Sequence, residues 1–310
     1  MTNLLWLVVF VVSLGALVWA SDILITAAER IGVALGMAPF ITGVLVVGVG
    51  TSVPELVSSI YAALSDETEI VVGNVLGSNI TNILLVLGIA GLVGNETNFK
   101  RDLLHIDLPM VLGSAILLGF LIADGSFNRM DAVLCIAGAA IYVYSTIASD
   151  VDPDGGPHED ERIGARVWLR LLGSLGVILL SAKYTVDAAV VLAAALGIGT
   201  EIIALSAVSL GTSLPEVVVA TMAARQGNIE LAVGNIMGSN IFNAFAVMGL
   251  PGLITPLVIP DDVIAFSLPF FLAVTLLYVL ITVDSRINRF ESALLMLFYT
   301  YFIGHLYQLA

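Results

Sequence analysis

The 310-residue sequence predicts an all-α integral membrane protein: ten transmembrane helices in two inverted-topology five-helix repeats, with helices two and seven broken. Three observations lead there. Hydrophobic residues make up 59% of the chain and its mean hydropathy is +1.04, against about 45–50% apolar residues in a soluble domain. Apolar runs recur along the whole length, each long enough for the roughly 20 residues that cross a bilayer core as a helix. Finally, a shift of 161 positions lays residues 40–93 on 201–254 without a gap, with 23 identities in 54 positions.

The polar breaks place the spans at about 3–30, 40–64, 69–94, 104–123, 129–149, 166–194, 201–225, 229–254, 262–283 and 287–308. Spans one and six are long, which suits strong tilt or an interfacial extension. The first run, "LLWLVVFVVSLGALVWAS", also has the apolar core and small residue of a signal peptide, but no positive charge precedes it.

Basic residues set the orientation. With the N-terminus outside, the inner loops hold Arg30, Lys100, Arg101, Arg162, Arg166, Arg170, Arg225, Arg286 and Arg289, and the outer loops only Arg129. Cytoplasmic loops are the ones rich in Lys and Arg, so both termini face outward. The formal charge of −14 comes largely from loops, and nucleic acid is not an expected partner. The linker "DVDPDGGPHEDE" at 150–161 reads as a solvated connector rather than a cation-binding loop. It divides a first repeat (1–149, motif region 40–93) from a second (166–310, motif region 201–254) across an acidic cytoplasmic segment, 150–165. Cys135 is the one cysteine, so no intrachain disulfide forms.

An odd number of spans per half makes the second half enter the membrane from the opposite side. Inverted repeats with discontinuous helices are an architecture of secondary transporters, which bind substrate near the midplane where the repeats meet. A channel can carry such a repeat as well.

The chemistry sits in the repeated segments. In "GTSVPE" (50–55) and "GTSLPE" (211–216), Pro54 and Pro215 remove a helical donor and leave the Gly50 and Gly211 carbonyls without their partners. Such carbonyls persist at membrane depth only inside protein or beside a polar cavity. Thr51, Ser52 and Glu55 follow, matched by Thr212, Ser213 and Glu216. The second block, "GNVLGSNITN" (73–82), repeats as "GNIMGSNIFN" (234–243). Asn74, Ser78 and Asn82 form one helical stripe, as do Asn235, Ser239 and Asn243. Gly73 and Gly77 are spaced to let helices approach closely.

Every donor in this set is oxygen, and Cys135, His105, His158 and His305 all lie outside both segments. Oxygen-only sites suit hard cations such as calcium, magnesium or sodium, not zinc or copper. Each feature alone has a plainer reading: a proline kink, a packing face, a polar tie between helices. A carboxylate at the bilayer centre costs at least about 2.5 kcal/mol and marks function by default; here it occurs twice, in register. Asp22, Glu29, Lys183 and Asp187 lie toward one end of spans one and six, where snorkelling or pairing across the halves accounts for them. The sequon "NIT" at 79–81 lies within a span and carries no meaning as a glycosylation site.

At these motifs the chain resembles the calcium/cation antiporter superfamily, in particular its prokaryotic sodium/calcium exchanger branch. The resemblance spans the full length and implies a multi-pass protein of a prokaryotic cell membrane, functional as a monomer in the lipid bilayer, with no cofactor and with Ca2+ and Na+ as its transported ions. It further implies four midplane sites in a diamond. Glu55 and Glu216 would be shared central carboxylates, holding calcium with the Thr51 and Thr212 backbone carbonyls. Ser52, Ser78 and the Gly48 carbonyl would complete one sodium site, and Ser213, Ser239 and the Ser209 carbonyl the other. Asn82 and Asn243 would complete the central position. Some relatives carry Asp where Asn243 stands, so no potassium requirement is expected here. The "GNxxEH" motif of proton-coupled calcium exchangers is missing, which makes proton coupling the alternative reading.

The expected mechanism is alternating access at one site, in which calcium or several sodium ions, but not both, cancel the charge of the two carboxylates. Spans one and six, linked by no direct site residues, are the expected sliding pair. A channel would be independent of a counter-ion. An intramembrane enzyme would need a base beside Ser52, and no His accompanies it.

Overall fold

The computed structural model describes residues 2–94, 107–149, 164–195 and 200–309; for residues 2, 3, 149, 189, 193, 194, 200–211 and 307–309 only the helical backbone is described. The acidic linker at 150–161 lies outside the described residues. Almost everything described is helix. In chain order the elements are α1 (Thr2–Ala34), α2 (Pro39–Thr51), α3 (Val53–Leu64), α4 (Glu69–Val93), α5 (Asp107–Ile122), β1 (Ser126–Phe127), α6 (Arg129–Ser149), α7 (Ala165–Ala195), α8 (Thr200–Arg225), α9 (Ile229–Ile254), β2 (Leu257–Val258), α10 (Val263–Thr282) and α11 (Arg289–Leu309). Among the described residues, helical segments fall within the predicted intervals. Six of them, α1, α4, α6, α7, α9 and α10, are long and apolar enough to cross a membrane, and the bent pair α2–α3 makes seven. Of the others, the described part of α5 has 16 residues, and α11 is diluted by its tyrosines, His305 and Gln308.

The predicted break in helix two is present. Its halves meet at Ser52 with a bend of 41°. A π-helical turn over Gly43–Gly48 precedes the break, and Pro54 sits in the first turn of α3, where its missing N–H does no harm. The break predicted in helix seven is not there: α8 runs continuously from Thr200 to Arg225 with Pro215 inside it. One proline removes one hydrogen bond, which a helix absorbs as a local distortion. Helix two adds Gly48 and Gly50 to its proline, whereas Ser209 stands where Gly48 does in the first motif.

At 33 residues α1 is about 50 Å long at 1.5 Å per residue, well over the roughly 30 Å core. It lies alongside the 31-residue α7, and Thr185 of α7 donates to Ser13 of α1 at 2.8 Å. The outer flank of α1, including Leu4, Val12 and Trp19, is exposed, as a lipid-facing stripe should be.

The remaining helices pack in reciprocal fashion. A Cβ at Gly252 of α9 would strike Phe127 and Ala132 at the start of α6, and one at Gly91 of α4 would strike Ile287 and Ser292 at the start of α11. Both α6 and α11 begin with a capping box. Asn128 accepts from Met130 N–H at 2.8 Å while Asp131 accepts from Asn128 N–H at 2.8 Å. Asn288 and Glu291 repeat this at 2.9 Å and 2.8 Å. β1 and β2 form a two-residue antiparallel pair that joins the α5–α6 and α9–α10 connections.

Small residues bring α9 onto α2. A Cβ at Gly238 would lie 2.6 Å from the Val44 carbonyl oxygen, and one at Gly234 would strike the Phe40 carbonyl. The expected close approach at Gly73 and Gly77 is not seen among the described residues, where neither meets an atom within 4 Å. Their counterparts on the 161-residue shift, Gly234 and Gly238, are the two that make the contact, so the packing face belongs to the second half alone.

Candidate cation site

Glu55 lies in the first turn of the half-helix α3, and Glu216 lies mid-way along α8; both are fully buried. They sit within electrostatic reach of each other. Ser52, at the bend, donates to Glu216 Oε1 at 3.3 Å, so the first motif supplies a hydroxyl to the carboxylate of the second. Ser78 of α4 donates to Glu55 Oε1 at 3.5 Å and lies 3.4 Å from the Thr212 hydroxyl. The Thr212 and Thr51 hydroxyls also interact with Glu55 and Glu216 respectively. Each carboxylate keeps its Oε2 unpartnered among the described residues.

Around them the polar stripes of α4 and α9 converge. Thr51 donates to Asn235 Oδ1 at 3.2 Å and Ser239 donates to the Gly48 carbonyl at 3.2 Å, so α2 is tied to α9 at two points. Ser213 is buried with its hydroxyl unpartnered among the described residues. Asn82 and Asn243 each open a π-helical turn, Asn82–Val86 and Asn243–Val247. Single π-turns inside α-helices occur often at functional sites. Both amides are buried, with neither N nor O partnered among the described residues.

Hydrogen bonds and electrostatic contact thus link Glu55, Glu216, Thr51, Thr212, Ser52, Ser78, Ser239 and Gly48 in one buried network, with Ser213 on the turn of α8 before Glu216. Ser209 lies in 201–211 and outside the residues whose side chains are described. No Lys or Arg forms an ion pair with either glutamate among the described residues, nor do three or more His, Cys, Asp or Glu gather anywhere there. Two desolvated carboxylates without a protein cation require charge from elsewhere, and oxygen donors that point inward unpaired suit a hard cation.

The family model described as "sodium/calcium exchanger protein" matches residues 5–148 and again 166–308. The chain belongs to this sodium/calcium exchanger family. It is 32% identical over 342 residues to the sodium/calcium exchanger MaX1 of Methanosarcina acetivorans, covering 95% of this chain and 96% of that one. It is 36% identical over 259 residues to the inner membrane protein YrbG of Escherichia coli, covering 79% of each. A structure of the sodium-calcium exchanger NCX_Mj, soaked with sodium and strontium, superposes with a TM-score of 0.86 at 27% identity, covering 98% of this chain and 99% of that one. Membership places the chain among membrane exchangers of cations.

Sequence reasoning passed over several polar residues of this exchanger-family chain. Asn79 of α4 donates to the Asn240 carbonyl at 3.1 Å, and Asn240 of α9 to the Asn79 carbonyl at 3.5 Å. Both lie one residue off the stripes singled out, yet both are among the identities of the 161-residue shift, which was the available signal. Of the outlying charges, Lys183 pairs with Asp187 in its own helix, at 3.2 Å and largely exposed, an arrangement of little energetic weight. Asp22 and Glu29 instead reach amides past the end of α8. Gln226 donates to Asp22 at 2.7 Å and Asn228 donates to Glu29 at 2.6 Å.

Proposed function

We propose that this chain is a secondary active antiporter that exchanges Ca2+ for Na+ across the cell membrane by alternating access at a midplane site built on Glu55 and Glu216. The observation that carries the proposal is the pair of buried carboxylates, each with an oxygen unpartnered among the described residues and each met by hydroxyls of Ser and Thr. Two carboxylates supply the charge that one Ca2+ cancels. Thr51, Thr212, Ser52, Ser213, Ser78, Ser239, Asn82, Asn243 and the carbonyls of Gly48 and Ser209 supply the neutral oxygens, and several Na+ ions serve as the alternative load. Mutual exclusion of the two loads is what couples the fluxes.

The inverted two-repeat architecture is part of the proposal. It is supported by the 161-residue shift, by the double match of the family model and by the reciprocal contacts of Asn79 with Asn240. Both termini outward, a cytoplasmic linker, monomeric function and sliding of α1 and α7 against the rest complete it. The long contact between α1 and α7 supports their moving as a pair.

The test is 45Ca2+ uptake into proteoliposomes with sodium, potassium and proton gradients applied in turn. Uptake driven by an outward sodium gradient is expected. Equal uptake without that gradient overturns sodium coupling, and uptake that follows a pH gradient instead assigns the proton-coupled alternative.

A further inference from the structure

The two halves of the site are held in different ways. Asn74 of α4 places its Nδ2 3.1 Å from the Glu55 backbone carbonyl, 3.1 Å from the Ser58 hydroxyl and 2.9 Å from the Ser59 hydroxyl. A carbonyl only accepts, so the amide NH2, not its oxygen, faces α3. Ser58 also donates to the Glu55 carbonyl at 3.0 Å. The counterparts of Ser58 and Ser59 in the second motif are Val219 and Ala220, both fully buried and without hydroxyls. Correspondingly, Asn235, the counterpart of Asn74, leaves its Nδ2 unpartnered among the described residues and uses its Oδ1 to accept from Thr51.

This difference matches the difference in the helices that carry the carboxylates. Glu216 sits in an uninterrupted helix, whose own hydrogen bonds fix its direction. Glu55 sits in the first turn past a 41° bend, where the preceding half-helix cannot fix it. We propose that Asn74, acting through Ser58 and Ser59, is the positioning residue that aims Glu55. The Asn74 amide clamps the first turn of α3 onto α4 and supplies the rigidity that the bend takes away. The inference rests on the site reading above. A dication must meet both carboxylates at once, whereas a sodium ion in a flanking position needs fewer of them in register. Loosening the clamp therefore weakens calcium binding more than sodium binding.

The experiment measures half-saturation and maximal rate for Ca2+ and for Na+ in proteoliposomes containing the full chain, with Asn74→Leu, which is similar in size but donates nothing, Ser58→Ala/Ser59→Ala, and the triple variant. Asn74→Leu is expected to raise the calcium half-saturation about tenfold, the scale of one or two hydrogen bonds to positioned groups. The maximal rate and the sodium half-saturation should stay within about twofold of wild type, the range a lost contact outside the ion's own ligands leaves untouched. The serine pair is expected to give a smaller rise of the same kind, and the triple variant to be no worse than Asn74→Leu, since residues of one network are not additive. Should Asn74→Leu fail to fold, the serine pair alone decides. Equal rises for the two ions, or a fall in yield and maximal rate at unchanged half-saturation, overturn the proposal. Glu55→Gln is run alongside. Near-normal calcium flux there refutes the site itself, while its loss together with a neutral Asn74→Leu refutes only the positioning role.

Discussion

Asn79 and Asn240 exchange side-chain amides with each other's backbone carbonyls, at 3.1 Å and 3.5 Å, where α4 crosses α9. The two residues are 161 positions apart, the repeat shift itself, so the contact is nearly its own mirror image. It fixes the register of the two helices that carry Ser78, Asn82, Ser239 and Asn243.

Replacing either Asn79 or Asn240 by Leu strands a buried carbonyl, which costs about 1–3 kcal/mol. Thermal unfolding in detergent should show each single variant destabilised, with the double variant less destabilised than the sum of the two. Strict additivity would show that the two bonds are independent.

Glu55→Gln and Glu216→Gln each leave one carboxylate for a dication. Loss of calcium transport is expected from both, by well over about tenfold for an uncompensated charge in a desolvated site. Isothermal calcium titration of the purified variants checks this without reliance on flux.

Gly238→Ala forces a methyl group against the Val44 carbonyl, 2.6 Å away and on a backbone that cannot swing aside. A loss of about 3 kcal/mol is expected, the upper end of overpacking costs. Gly173→Ala, where no described atom lies within 4 Å, is the matched control and should show no loss in the same melt.

Asn128→Ala and Asn288→Ala each remove a helix N-cap that is duplicated in the two halves. A cost of about 1 kcal/mol apiece is expected. Because the caps lie far apart in sequence and share no partner, their effects on the melting temperature should add.

Much of this architecture was legible in the sequence because hydrophobic run length and turn residues act locally. The helix limits of α4, α6 and α9 coincide with the predicted spans to within a residue, and helical spacing alone put Asn74, Ser78 and Asn82, and Asn235, Ser239 and Asn243, on common stripes. What escaped depended on context. Pro54 and Pro215 are the same residue in the same motif, yet only the first breaks its helix, since the outcome turns on the glycines and π-turn upstream. The π-turns at Asn82 and Asn243 leave no mark in composition. The clamp on Glu55 was hidden because Ser58 and Ser59 differ from their counterparts Val219 and Ala220, so a search for what the halves share passes over it.

Asn228 works with both ends of its amide. Its oxygen caps the start of α9 by accepting from Leu231 N–H at 3.1 Å, while its nitrogen holds Glu29 of α1 at 2.6 Å. A helical turn of axial travel, about 5.4 Å, would strip α1 of that charge-assisted bond. The positions equivalent by the repeat shift are Glu67 and Val190, and a valine side chain neither donates nor accepts. In the proposed sliding of α1 and α7, the bond to Glu29 has no counterpart of its kind at Val190, so the two helices of the pair would set out from unequal footing.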